Sequence, residues 1–136
     1  MDALDSILKI SASGMLAQGE RLKVVSENVA NASSTAMEPG QDPYRRKTIT
    51  FEEMVDRDTG VSTVEVSSIG RDNANFALRY EPSHPAADEF GFVKVSNVSP
   101  ILEMANMREA ARSYEANMNM FEAARKMRSQ IIDMLK

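Results

Sequence analysis

The sequence holds no cysteine and no tryptophan, a single histidine, five phenylalanines and three tyrosines in 136 residues. Without cysteine there is no disulfide, no thiol nucleophile and no thiolate metal site. Apolar residues make up 43% of the chain, enough for one modest domain, but the aromatics are too few for a large aromatic core. Positive charge is not in excess. The formal net charge is −4, and the run Arg45-Arg46-Lys47 is too short to form a stripe that would hold nucleic acid or an anionic membrane surface. No stretch approaches the roughly 20 apolar residues of a membrane span, and no basic region followed by an apolar run marks a cleavable signal. Export, if it occurs, is expected to use a route without a cleaved signal.

Catalytic and metal-binding patterns are missing as well. A metal reading of His84 would recruit Asp88 and Glu89, but no second histidine and no cysteine exist to complete a ligand set. His84 as a base for serine chemistry lacks a Gly-x-Ser-x-Gly elbow, and no glycine-rich phosphate loop is present. Glu52, Glu53 and Asp56 form an acidic cluster that reads as a solvated face. The expectation is a protein that is not an enzyme and needs no cofactor.

What is present lies first in the last third. From Ile101 to Lys136 there is neither proline nor glycine, and an apolar residue recurs at nearly every helical turn. One heptad seam runs Met104, Met107, Ala111, Tyr114, Met118, Phe121, Arg125, Arg128, Ile132 and Leu135. A second stripe, Met120, Ala124, Met127, Ile131 and Met134, widens the apolar arc beyond what one partner covers, so neighbours on two sides are expected. At about 1.5 Å per residue such a helix spans roughly 50 Å, against a radius of gyration near 14 Å for a compact chain of this length. It is too long to be wrapped by its own chain. Ten methionines, unbranched and adaptable, suit helix contacts with several neighbours, although any single one also serves as ordinary core filling.

A second helical pattern runs from Leu4 to about Asn31, with Leu8, Met15, Leu22 and Val29 at seven-residue intervals and Leu4 and Val25 beside them. Ser11 and Gln18 interrupt this seam, and Gly14 and Gly19 each cost about 1 kcal/mol relative to alanine. The helix therefore needs packing to form. Its small face, Ser11 to Gly14, allows another helix to approach closely, and Asp2 or Asp5 can cap its start. The signal ends at Asn31-Ala32-Ser33-Ser34-Thr35, and Pro39-Gly40 and Asp42-Pro43 enforce a loop.

Between the helices, residues 32–60 read as a connector with a short strand at Thr48–Phe51 and a helical turn at Glu52–Val55. Residues 61–98 read as a small β region, in which Val64 and Val66 form a hairpin with Phe76, Leu78 and Tyr80 across the turn residues 70–75. A third strand is expected at Phe92–Val95, and Pro82-Ser83-His84-Pro85 must be loop. The fold class is thus mainly α with a small β insertion: residues 1–31 and 99–136 form two long helices that pair as a coiled coil and make one helical core. Asn28, Asn31, Asn106, Asn117 and Asn119 either point to water or fix register between packed helices, as polar residues in a coiled-coil seam do. Arg125 and Arg128, near Glu122, either form interfacial ion pairs or are simply exposed.

Several motifs carry a resemblance. Ser11-Ala12-Ser13-Gly14-Met15 and Asn28-Val29-Ala30-Asn31-Ala32 are similar to the N-terminal signature of the rod and hook proteins, the axial proteins of the bacterial flagellum. Pro43-Tyr44-Arg45-Arg46-Lys47, His84-Pro85-Ala86-Ala87-Asp88-Glu89 with Gly91-Phe92-Val93, and Glu103-Met104 through Tyr114-Glu115-Ala116-Asn117 resemble the proximal-rod members in particular. Three positions depart from that pattern: Asp42 in place of glycine, Phe92 in place of tyrosine, and Ser96 in place of proline. The resemblance implies a structural subunit of the proximal rod, the shaft crossing the periplasm between the MS ring with its export gate and the distal rod. It also implies self-association, other rod proteins as partners, and export by the flagellar type III apparatus, with neither nucleic acid bound nor membrane insertion. A rod needs heterologous contacts that repeat without closing. The residues expected at subunit interfaces are Leu8, Met15, Leu22, Val29, Met104, Met107, Tyr114, Met118, Phe121, Met127, Ile131 and Leu135. The competing expectation is a soluble helical adaptor or secretion chaperone that uses the same seams as a closed dimer.

Overall fold

A computed structural model describes residues 3–136. In chain order the elements are α1 (Ala3–Ala30), β1 (Lys47–Val55), β2 (Ser62–Arg71), β3 (Ala77–Tyr80), β4 (Phe92–Val95) and α2 (Pro100–Met134). Two long terminal helices thus flank a small β insertion. Asp5 lies in the first turn of α1 and Glu103 in that of α2, where carboxylates meet the positive end of the helix dipole. The capping role expected of Asp2 falls on a residue outside those described.

The chain divides into two compact units. One gathers residues up to Leu22, Ile49–Ser68 and Arg108–Lys136, and the other gathers Lys23–Thr48 and Ile69–Met107. In the first unit α1 and α2 run antiparallel. Arg128 of α2 pairs with Asp5 at 3.3 Å near the start of α1, and Arg21 pairs with Glu109 at 3.3 Å further along. Between these pairs, a Cβ built on Gly14 would lie 2.5 Å from the Asn117 amide oxygen, so the Asn117 side chain packs onto the α1 backbone in space that only glycine leaves open. The close approach expected of the small face occurs here. What lines it is small or polar: Ser11, Gly14 and Ala17 from α1, Ala110 and Ala124 from α2, all buried. The Ser11 hydroxyl donates back to the Ile7 carbonyl at 2.6 Å, which lets a polar side chain sit in the seam without an unmet hydrogen bond.

The strands differ from expectation in two ways. Glu52–Val55 are not a helical turn but the end of β1, which pairs with β2. The ribbon is closed by Asp56–Val61, where the Asp56 N–H donates to the Val61 carbonyl at 2.9 Å and Gly60 takes φ 70°. Asp56 also accepts from the Asp58 and Thr59 N–H groups, at 2.9 and 3.3 Å. That turn captures β2 for β1, so the expected pairing of β2 with Phe76–Tyr80 does not form. β3 pairs instead with β4, antiparallel, with Leu78 opposite Lys94 and Tyr80 opposite Phe92.

The second unit is built around β4. Val93 is fully buried there, and Val24, Val25, Ala32, Ala86 and Val98 complete its apolar core. Gly91 takes φ 84° with the Pro82 and Tyr80 side chains against it, a conformation and a space that exclude any larger residue. The loop expected at Pro82–Pro85 is present. It is held by His84, which accepts the Ala86 N–H at Nδ1 (2.9 Å) and meets the Thr35 hydroxyl at Nε2 (3.2 Å).

Candidate assembly surfaces

The run Tyr44–Lys47, expected only as connector, is in the second unit the centre of a buried polar clasp. Asn28 and Glu103 are each only 1% exposed. The Asn28 amide oxygen accepts the Tyr44 hydroxyl at 2.7 Å and the Lys47 N–H at 2.9 Å, and its nitrogen donates to the Lys47 carbonyl at 2.9 Å and to Glu103 at 3.4 Å. The Arg46 guanidinium donates to Glu103 and reaches Asp72 at 3.4 Å. Its backbone N–H donates to Asn97 at 2.7 Å, and the Asn97 amide nitrogen donates to the Asp72 and Ala74 carbonyls at 3.1 Å.

A buried carboxylate is costly unless its oxygens are paired and hydrogen-bonded, and here Arg46 and Asn28 meet that requirement. The bond to Glu103 raises the Arg46 pKa above its ordinary value. At the edge of the clasp, Lys47 pairs with Glu27 at 2.5 Å and holds that carboxyl below the usual range. Arg45 and Arg71 stack over Phe76 and Tyr44, with guanidinium carbons 4.3 and 5.2 Å from the ring centres. Of the two readings open for Asn28, pointing to water does not hold: the side chain is buried, with three bonds to Tyr44 and Lys47 and one to Glu103 of α2. Asn119 points to water, while Asn117 fills the space beside Gly14 and donates to the Ser113 carbonyl at 2.8 Å.

The first unit carries the opposite kind of surface. Its inner seam uses small residues, and the large apolar side chains expected at interfaces lie elsewhere. Met104 belongs to the second unit and is exposed there; Tyr114, Met118, Met127, Ile131 and Leu135 are exposed in the first. Leu8, Met15, Leu22, Val29, Met107 and Phe121 are half-buried. Ser11 and Gln18, which interrupt the apolar seam, lie on covered sides of α1: Ser11 is buried, and Gln18 lines a hollow with Phe51, Ser62 and Asn117; beside them the Ser13 hydroxyl accepts the Val64 N–H of β2 at 3.3 Å. Of the two basic residues on the main seam, Arg128 pairs with Asp5, and Arg125 lines a surface hollow with Glu122, Lys126 and Ser129. Among the described residues no cluster of three histidine or carboxylate side chains gathers, and no helix is long and apolar enough to cross a membrane.

Comparison with known proteins gives these surfaces a setting. A family model described as "Flagella basal body rod protein" matches residues 8–36, and one described as "Flagellar basal body rod FlgEFG protein C-terminal" matches residues 91–134. The chain is 48% identical over 136 residues to the flagellar basal-body rod protein FlgC of Agrobacterium fabrum, covering all of this chain and 98% of that one. The chain belongs to the FlgC family. FlgC of Salmonella typhimurium is 41% identical over 127 residues, with 92% of each chain covered, and FlgC of Borreliella burgdorferi is 34% identical over 141 aligned positions, with 91% and 92% covered. The protein is accordingly a structural subunit of the flagellar basal-body rod and not an enzyme. Residues 37–90 are matched by neither family model. Yet Tyr44, Arg46 and Lys47 in that stretch bond to Asn28, Asn97 and Glu103, which the models do cover. In this chain the clasp is where the intervening segment is tied to the two regions that the family models match.

Proposed function

We propose that this FlgC-family chain is a proximal-rod subunit that polymerises with unlike rod proteins and with itself through the outward faces of α1 and α2. In this reading it helps build the shaft that transmits torque across the periplasm and surrounds the export channel. The carrying observation is the division of labour along the helices. Ser11, Gly14, Ala17, Ala110 and Ala124 are buried, while Met118, Met120, Met127, Ile131 and Ile132 stay in water. Exposed apolar surface on this scale marks a surface meant to be covered. Two apolar stripes on one helix supply different faces for unlike neighbours, which a non-closing assembly requires. Neighbours in this reading include the junction with the MS ring and export gate. Delivery is by the flagellar type III apparatus without a cleaved signal, and helices that depend on packing suit passage through a narrow channel in an unfolded state.

The test is a charge placed on an outward face. Met118→Asp should abolish incorporation into isolated basal bodies and swimming, while leaving secretion of the chain largely intact. Normal motility of that variant would overturn the reading. Retention of the chain in the cytoplasm would count against the route of delivery.

A further inference from the structure

Resting on the reading just given, we propose that the C-terminal tip of α2 in one copy docks into the groove between α1 and α2 of a second copy, head to tail. The antiparallel register creates both halves of this contact. Arg128 already sits opposite Asp5, in the first turn of α1, so among the described residues the last turns of α2 run past the start of α1. There Met127, Ile131 and Met134 follow one another at steps of four and three on one face, and Ile132 and Leu135 flank them, all exposed. The groove lies further along the same helix pair. It is lined by Ala12, Met15, Leu16, Gly19, Tyr114 and Phe121, with Leu16 75% exposed at its lip.

Length and charge fit. The tip stripe from Met127 to Met134 and the groove floor from Ala12 to Gly19 each cover seven helical steps, about 10 Å. Gly19 offers little obstruction in the floor, the nearest atom to a built Cβ being Tyr114 at 3.9 Å. Around the tip, residues 125–136 carry Arg125, Lys126, Arg128 and Lys136 against Asp133 alone, whereas Glu20 lines the groove and Glu115 follows Tyr114 on α2. Among the described residues Arg125, Lys126, Glu20 and Glu115 form no ion pair. A basic apolar tip therefore meets an acidic apolar groove. Since tip and groove are different surfaces, each copy that docks leaves a fresh tip or groove exposed, and growth continues.

The absence of cysteine makes the test clean, because an engineered pair reports only its own contact. Two differently tagged chains, one Leu16→Cys and one Ile132→Cys, are expressed together, and basal bodies are isolated and mildly oxidised. Within one chain these positions are about 22 Å apart along the helix pair, beyond disulfide reach, so only a contact between copies can link them. The expected result is a product at twice the chain mass carrying both tags, absent when Leu78→Cys on β3 replaces Ile132→Cys. It should be lost on adding Glu20→Lys with Glu115→Lys, and regained on adding Arg125→Glu with Lys126→Glu. Both tagged chains present in basal bodies without that product would overturn the docking and leave the rod reading standing. So would linkage of the Leu16→Cys chain to a different rod protein alone. Absence of both chains from basal bodies would overturn the rod reading and the docking with it.

Discussion

At the scale of single residues, the clasp is the part of the molecule most sensitive to substitution. Asn28 uses both ends of its amide, so Asn28→Ala would leave the Lys47 backbone and a Glu103 oxygen without partners in a buried place. A loss of about 2–3 kcal/mol is expected, read as a lower urea midpoint at unchanged slope. Ser96 predicts the reverse. Its hydroxyl is buried and, among the described residues, without a hydrogen-bond partner, while its backbone N–H donates to the Ser34 carbonyl at 3.2 Å. Ser96→Ala keeps the backbone bond and removes the unmet hydroxyl, so stability should hold or rise by up to about 1 kcal/mol. Ser96→Pro, which restores the residue of the resembled pattern, would delete that N–H and should destabilise this chain. Acid acts through other residues. Glu27, bonded to Lys47, and Asp56, bonded by the Asp58 and Thr59 N–H groups, are both held below their ordinary values in the fold. Their contribution is whole at neutral pH, begins to fade as pH drops past the unfolded carboxylate range near about 4, and is gone below the folded values. Glu27→Gln with Asp56→Asn should flatten the acid limb of stability against pH, by a small amount because both groups face water.

Elements are joined by the contact between Gly14 and Asn117. A methyl at position 14 would overlap the Asn117 amide, which is also tied to the Ser113 carbonyl, so neither side can yield freely. Gly14→Ala should therefore destabilise by about 1–3 kcal/mol through overpacking, even though alanine is the better helix former by about 1 kcal/mol. Asn117→Ala opens the space. In that background Gly14→Ala should become neutral or stabilising, and a thermodynamic cycle by thermal or urea denaturation should show the change of sign. Two additive losses would mean that the two residues do not meet. The β1–β2 ribbon adds a second constraint on α1: a two-stranded ribbon is marginal by itself, and the Val64 N–H anchored on the Ser13 hydroxyl ties it to the helix.

For the molecule as a whole, the spread of exposure along α2 sets an order of protection. Residues beyond Ala124 are all exposed, and ten helical residues lie between it and the end of α2 at Met134. In the dilute protein, amides in that tail should exchange within the fast, frayed range, whereas those around Ala110 should be protected. On incorporation into the rod the tail should become protected as well. Equal protection of both stretches in the dilute protein would contradict the idea that assembly completes the helix.

Several features follow from the sequence alone. Proline-free and glycine-free chain from Ile101 onward can scarcely be anything but helix, and α2 indeed runs from Pro100 to Met134. The polar stop after Asn31, the loop at Pro82–Pro85 and the strand at Phe92–Val95 were equally legible, because local backbone preference decides them. Three things were decided only by tertiary structure. Strand partnership is non-local, and the Asp56–Gly60 turn took β2 away from Phe76–Tyr80. The clasp joins Asn28, Arg46, Asn97 and Glu103, whose sequence separations leave no local trace. The inner helix seam was hidden for the opposite reason. Heptad periodicity follows the largest apolar side chains, but the buried positions between the two helices are Ser11, Gly14, Ala17, Ala110 and Ala124, with the Asn117 amide packed on Gly14. Periodicity reports that a face is apolar; whether the neighbour is the same chain or another depends on the distance at which the helices meet.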